Sequence, residues 1–289
     1  MPSLRFEVVD VFTDRPYAGN PLAVVRNEEA ELTGAAMQAI AGEFHLSETV
    51  FTLPPTTPEA DYRVRIFTPA VELPFAGHPS VGAAWVLARA GAIRHGDVVQ
   101  ECGAGLLPVT VDAEGARVTG GRPEIGDDLD VALLAAATGL SAEDDLDGAA
   151  LPGIAAAGVP FGFLLVNPDA VARAVPEPET ISALGLTGLV VASVSGDATR
   201  VHLRMFGAGV GVDEDPATGS AAVALGVYLT DRGLLPPDGD SAFTVAQGAE
   251  IGRPSRLDVE VRAEGGRVVR TTVRGGVAAV SRGELTALP

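Results

Sequence analysis

Three stretches of this chain carry residue types suited to moving a proton. The first is HLSETVFTL, residues 45–53. On a strand, Leu46, Glu48 and Val50 share one face, because successive side chains point to opposite sides. A carboxylate turned the same way as two apolar neighbours is poorly hydrated, so its pKa rises and it can give and take a proton near neutral pH. The alternative is a twisted edge on which Glu48 reaches water. The second stretch is FAGHPSVG, residues 75–82. Proline fits the first turn of a helix, where its missing N–H has no use. His78 is then either an ordinary helix-start residue or an imidazole kept neutral by the positive helix end. The third is DEDPATGSAAVALGVYLTDRG, residues 213–233. Asp215 either caps the helix, with Pro216 following, or sits on the loop before a start at Thr218 to Ser220, where it orients another group. Asp213 and Glu214 read as solvated loop charges.

Thr218, Gly219 and Ser220 present backbone amides at a positive helix end with little side-chain bulk in the way, and Gly77 offers the same in the earlier stretch. Such a start suits a carboxylate or phosphate. A small anionic substrate is therefore expected, with the amides taking the ligand and the acids setting position and proton inventory.

Other chemistries lack their residues. All twenty bases are arginine; the absence of lysine excludes a Schiff-base mechanism and a P-loop phosphate lysine. The one cysteine, Cys102, cannot form an internal disulfide or a cysteine-rich metal site and reads as a packed or loop residue. The four histidines show no metal-ligand spacing, and His45, His95 and His202 read as surface or satisfied residues. No GxGxxG opens a helix after a strand, so no dinucleotide site is visible. The expectation is a protein with no cofactor and no metal.

The elements that must position these residues form an internal echo. GHPSVGAAWVLARAG (77–91) and GSAAVALGVYLTDRG (219–233) both open and close on glycine. Similar leads precede them, RIFTPAVELPFA from Arg65 and RMFGAGVGVDEDPAT from Arg204, and alternating strands follow, LLPVTVD and RLDVEVRAE. Both segments predict helices: Ala and Leu dominate, the closing glycines suit a left-handed C-terminal position, and Arg89 and Arg232 favour the negative end. Both are apolar almost all round, as in a helix wrapped on every side. Further helices are predicted at LTGAAMQAIAGEF and LDVALLAAATGL. Strand alternation marks LRFEVVDVF, SETVFTL, YRVRIF, FGFLLV, LVVASV, RVHLRMF, RLDVEV and VVRTTVRGGVAAV. The fold expected is α+β: two pseudo-symmetric domains, each a rolled β-sheet or barrel around a central α-helix. Gly, Pro and acids cluster over residues 120–130 and suggest domains 1–125 and 126–289, with the last strand, after about Val268, able to pair with either half.

The totals agree. The 289 residues suit two domains of about 100–150 each. The formal charge of −18 repels a phosphate backbone, so no nucleic acid is expected. No apolar run approaches the roughly 20 residues of a membrane span, and MPSLRFEVVDVF lacks a signal-peptide layout. A soluble, cytoplasmic protein with no membrane partner is the expectation.

Four motifs in order, VDVFTDRPYAGNPLAVV, HLSETVF, RIFTPAVELPFAGHPSVGAA and DEDPATGSAA, together resemble the PhzF-like phenazine-biosynthesis family, within the diaminopimelate epimerase fold. The similarity runs on to QGAEIGRPSRLDVEV, nearly the whole chain. It implies two similar domains with the active site between them, no cofactor, and a homodimer. It also implies an isomerase like the enzyme that acts on trans-2,3-dihydro-3-hydroxyanthranilate by moving a proton across one face of the ring. By motif, the acid/base glutamate falls on Glu48, the site histidine on His78 and the aspartate on Asp215. Gly77, Gly219 and Ser220 fall on substrate-binding positions. Related epimerases use two opposed cysteines at the helix starts, whereas here those starts read Ala-Gly-His and Thr-Gly-Ser. The leading expectation is a proton-shuttling isomerase acting on a small carboxylate-bearing compound. The alternatives are a non-thiol epimerase or racemase of an amino-acid-like substrate, and a non-catalytic small-acid binding protein.

Overall fold

The computed structural model describes residues 4–27, 32–207 and 212–289. The chain divides into two compact units. One comprises residues 1–119 and 274–289, the other residues 120–273. Residues 208–211, inside the lead to the second glycine-opened helix, lie outside the described residues.

In the first unit the order is β1 (Leu4–Val11), β2 (Asn20–Arg26), α1 (Gly34–Phe44), β3 (Glu48–Leu53), β4 (Tyr62–Phe67), β5 (Glu72–Leu73), α2 (Gly77–Arg89), β6 (Gly96–Cys102), β7 (Gly105–Val111) and β8 (Gly115–Thr119). Strand β1 pairs antiparallel with β2, and β2 runs parallel to β3 across α1. Strands β3 and β4 are antiparallel, β4 is parallel to β6 across α2, and β6, β7 and β8 form a meander.

The second unit repeats this plan. Its elements are β9 (Pro123–Asp128), α3 (Val131–Thr138), β10 (Gly153–Ala157), β11 (Pro160–Leu165), α4 (Pro168–Arg173), α5 (Pro178–Ala183), β12 (Gly188–Val194), β13 (Arg200–Gly207), β14 (Val212–Asp215), α6 (Gly219–Asp231), β15 (Gly239–Gln247) and β16 (Ser255–Glu264). Strands β10 and β11 are antiparallel, and β11 runs parallel to β12 across two short helices. Then β12 and β13 are antiparallel, β13 is parallel to β15 across α6, and β15 pairs antiparallel with β16. The long β17 (Arg267–Leu285) ends the chain, and its last residues pair with β1, Val11 opposite Val277 through Leu4 opposite Leu285.

Helices α2 and α6 are the centres around which each sheet rolls. From Gly77 to Ala88 every residue of α2 is buried, against β1, β2, β3, β4, β7 and β8. Helix α6 is buried from Ala221 to Thr230, against β9, β10, β11 and β16. Small residues permit this. A Cβ on Gly82 would stand 2.4 Å from Leu22 Cδ2, and one on Gly226 would stand 2.5 Å from Val261 Cγ2. The closing Gly91 and Gly233 both adopt φ of 72°, the left-handed conformation expected of them. Polar rings reach acceptors at the wall: Trp85 Nε1 donates to Ala113 O at 3.0 Å and Tyr228 Oη to Leu151 O at 2.8 Å.

The other sheet face is covered too. In the first unit α1 lays Met37, Ile40 and Ala41 on Val25, Phe51 and Phe67. In the second, Leu134, Val171 and Ile181 from α3, α4 and α5 cover Leu164, Val191 and Phe206. Strands covered on both faces read as continuous apolar runs, as LVVASV does.

Candidate active site

Glu48 is the first residue of β3. Helix α1, capped by Thr33, whose Oγ1 accepts the Ala36 N–H at 3.2 Å, ends on His45 with φ of 49°. The chain then turns through Leu46 and Ser47. Because the strand begins only at Glu48, Leu46 does not share its face, which corrects the expectation from alternation. The carboxyl group is dry for another reason: it lies against the start of α2, with Oε2 3.7 Å from His78 Nε2, and its side chain is only 17% exposed. Burial pushes the pKa up to about 7, while a hydrogen bond from the Ser47 side chain pulls the other way.

His78 is the second residue of α2 and is buried. Pro79 occupies the third helical position, within the first turn as expected. The residue ahead of Gly77 is Ala76, which has no side chain to cap with, and α2 carries no side-chain cap. The turn is braced from inside: Ser80 Oγ donates to Ala76 O at 2.9 Å, and Gln100 Nε2 donates to Ser80 Oγ at 2.9 Å.

In the second unit Asp215 ends β14, three residues before Thr218, the residue at the N-cap of α6. Its carboxylate accepts the Thr218 hydroxyl at 2.6 Å and orients that side chain, without capping the helix. Gln247, fully buried at the end of β15, holds the same corner. Its Oε1 accepts the Thr218 N–H at 3.0 Å, and its Nε2 donates to Asp215 O at 2.7 Å and Thr218 Oγ1 at 3.0 Å. Gly219 and Ser220 open a helix with no side-chain cap. By contrast α1, α3 and α5 are capped by Thr33, Asp130 and Glu177.

Glu48, Gly77 and His78 thus stand together in the first unit, and Asp215, Gly219 and Ser220 stand together in the second. Glu214 is not the solvated loop charge expected. It makes a two-armed ion pair with the buried Arg204, Nε to Oε1 at 2.9 Å and Nη2 to Oε2 at 2.7 Å. Asp213 is exposed, as is His95, while His202 Nε2 lies 2.7 Å from Glu250 Oε1. Cys102 closes β6, its thiol pushed up by burial. Among the described residues no three His, Cys, Asp or Glu side chains converge as a metal site requires.

Sequence reasoning missed Gln247, Gln100, Asn20 and Ser47. A signal for the two glutamines was present: one precedes a glycine-rich turn in each half, as QECGAG and QGAEIG. The strand registers add a further point. Thr49 lies opposite Phe67 and Leu189 opposite Phe206, so the position matching Glu48 in the second unit is Gly188. At that position the second unit carries no carboxylate.

The mixed α+β fold is built twice on one plan, a dry carboxyl group lies beside a helix start in the first unit, and curated relatives of the chain are named isomerases. The family described as phenazine biosynthesis-like protein matches residues 9–283, and the chain belongs to that family. An uncharacterized isomerase of Mesorhizobium japonicum is 36% identical, with 99% of each chain covered. The trans-2,3-dihydro-3-hydroxyanthranilate isomerase of Pseudomonas aeruginosa is 33% identical over 96% of this chain and 98% of its own. Among solved structures, a PhzF-family phenazine biosynthesis protein of Bacillus anthracis superimposes with a TM-score of 0.86 at 26% identity, covering 99% of this chain and all of that one.

Proposed function

We propose that this isomerase works by acid–base proton transfer, without a cofactor, on a small carboxylate-bearing substrate, with cyclic amino acids the class to try first. Glu48 removes a proton from carbon and returns it elsewhere on the same molecule. His78 and Asp215 orient the carboxyl group or the substrate's polar groups, and Gly77, Gly219 and Ser220 bind the substrate carboxylate through backbone amides. The observation that carries this reading is the Glu48 carboxyl group itself: 3.7 Å from His78 and with a pKa raised to about 7, it is populated in both protonation states near neutral pH. One carboxyl group that both takes and returns a proton suits an allylic shift better than inversion, which needs groups on opposite faces of the carbon.

The test is solvent-deuterium incorporation, followed by NMR, into trans-2,3-dihydro-3-hydroxyanthranilate and a panel of cyclic amino and hydroxy acids. Deuterium gained with a moved double bond supports isomerisation; deuterium gained with loss of optical purity identifies an epimerase instead. Binding without exchange identifies a carrier. The Glu48→Gln variant is expected to slow exchange at least about 100-fold while binding stays within about tenfold. Exchange at the normal rate in that variant removes Glu48 from the role.

A further inference from the structure

Asn20, the first residue of β2, is fully buried. Ser47 Oγ donates to Asn20 Oδ1 at 3.1 Å, and the same hydroxyl is hydrogen-bonded to the Glu48 carboxyl group. A serine hydroxyl has one proton and two lone pairs. It therefore cannot donate to Asn20 and to an ionised Glu48 at once. When Glu48 carries its proton, the acid donates to Ser47 Oγ and Ser47 donates to Asn20 Oδ1, the direction recorded in the structure. When Glu48 is ionised, the Ser47 proton turns to the carboxylate.

We propose that Ser47 is a two-position donor for Glu48, with Asn20 as the competing acceptor, so that each proton Glu48 gains or loses is matched by rotation of one hydroxyl rather than by rearrangement of the site. Both are positioning residues, and the inference rests on Glu48 being the proton carrier. A group that cycles between acid and base in a poorly hydrated place needs a partner in each state, because an unsatisfied buried polar group is costly. The Ser47 hydroxyl, donor and acceptor in one group, can serve both. The two residues act in opposite senses: Ser47 supplies a donor to the carboxylate, and Asn20 draws that donor away. The charged and titratable side chains on the elements packed against β3 are His78 and Arg89 on α2, Arg26 on β2, Tyr62, Arg63 and Arg65 on β4 and Glu43 on α1. Of these, His78 is the one recorded against the carboxyl group, and Arg65 is tied to Glu72.

The experiment is a 13C NMR titration of the whole protein labelled at glutamate carboxyls, with the Glu48 signal assigned by its loss in Glu48→Gln. Ser47→Ala is expected to raise the Glu48 midpoint by about one pH unit. Ser47→Thr, which keeps the hydroxyl, restores it, and Asn20→Leu lowers it. A general loosening of the site would move all three variants in one direction. Equal midpoints for Ser47→Ala and Ser47→Thr, or a rise in Asn20→Leu, overturn the proposal; should Asn20→Leu fail to fold, the serine pair decides. No substrate is involved. Opposed shifts without deuterium exchange would therefore leave the relay standing and sink the proton-carrier reading, whereas exchange without the shifts would do the reverse.

Discussion

At the scale of single residues, the buried Glu48 carboxyl group costs the fold stability. Its pKa is raised from 4.5 to about 7, so the folded chain holds this proton more tightly than the unfolded chain does. The unfolded state thus binds fewer protons between those values, and the group's contribution to stability falls as pH rises from about 4.5 to about 7; it is flat on either side. Removing the charge removes the penalty. Glu48→Gln is expected to be more stable than the parent at pH 8, by up to about 3 kcal/mol, and to lose that advantage below about pH 4.5. Urea unfolding at the two pH values measures the difference. A gap that does not change with pH would mean that the carboxyl group is hydrated in the folded protein. Catalytic groups held in such places commonly cost stability.

At the scale of elements, the central helices depend on close approach. An alanine has a higher helix propensity than glycine by about 1 kcal/mol. At Gly226, however, the added methyl group would meet the stiff, β-branched Val261 at 2.5 Å, inside a helix walled in by strands. Gly226→Ala is expected to destabilise the protein by about 1–3 kcal/mol despite the better propensity, as read from the urea midpoint. A gain in stability would show that β16 can retreat. The same wrapping made α2 and α6 legible in the sequence, because only an enclosed helix is apolar all round. Strands with one polar face, such as RVHLRMF and RLDVEV, were legible by alternation. Others were not. The acidic PEIGDD reads as a loop, yet β9 forms because β10 supplies its ladder, Ala157 opposite Pro123 to Gly153 opposite Asp128. Helices α4 and α5 are six residues each, too short to show a period. At the candidate site, type and spacing raised Glu48, His78 and Asp215 as candidates, each beside an ordinary structural alternative. Gln100 and Gln247 left only a faint trace, a glutamine before a glycine-rich turn in each half, and an amide's role as a brace depends on strand pairings that local pattern does not encode.

At the scale of the whole molecule, the repeated plan has been put to unequal use. Each unit carries an arginine two residues before a phenylalanine, with the guanidinium carbon over that ring: Arg65 over Phe67 at 5.2 Å and Arg204 over Phe206 at 4.9 Å. Each arginine grips a glutamate through Nε and Nη2, Glu72 in the first unit and Glu214 in the second. The first pair is wet, its side chains 30% and 43% exposed; the second is dry, at 9% and 10%. Arg204 also donates to Val171 O at 3.2 Å and to Ala174 O at 2.7 Å, tying β13 to the end of α4. An exposed pair contributes about 1 kcal/mol at most, whereas deleting one partner of a buried pair leaves an uncompensated charge at a cost of about 3–5 kcal/mol. Glu214→Gln is therefore expected to lower unfolding free energy several-fold more than Glu72→Gln. Added salt should narrow the effect of the Glu72 change and leave that of Glu214 almost untouched, because screening acts on wet charges. Equal losses from the two changes would show that water reaches the Arg204 guanidinium, and that the second copy of the pair is no more structural than the first.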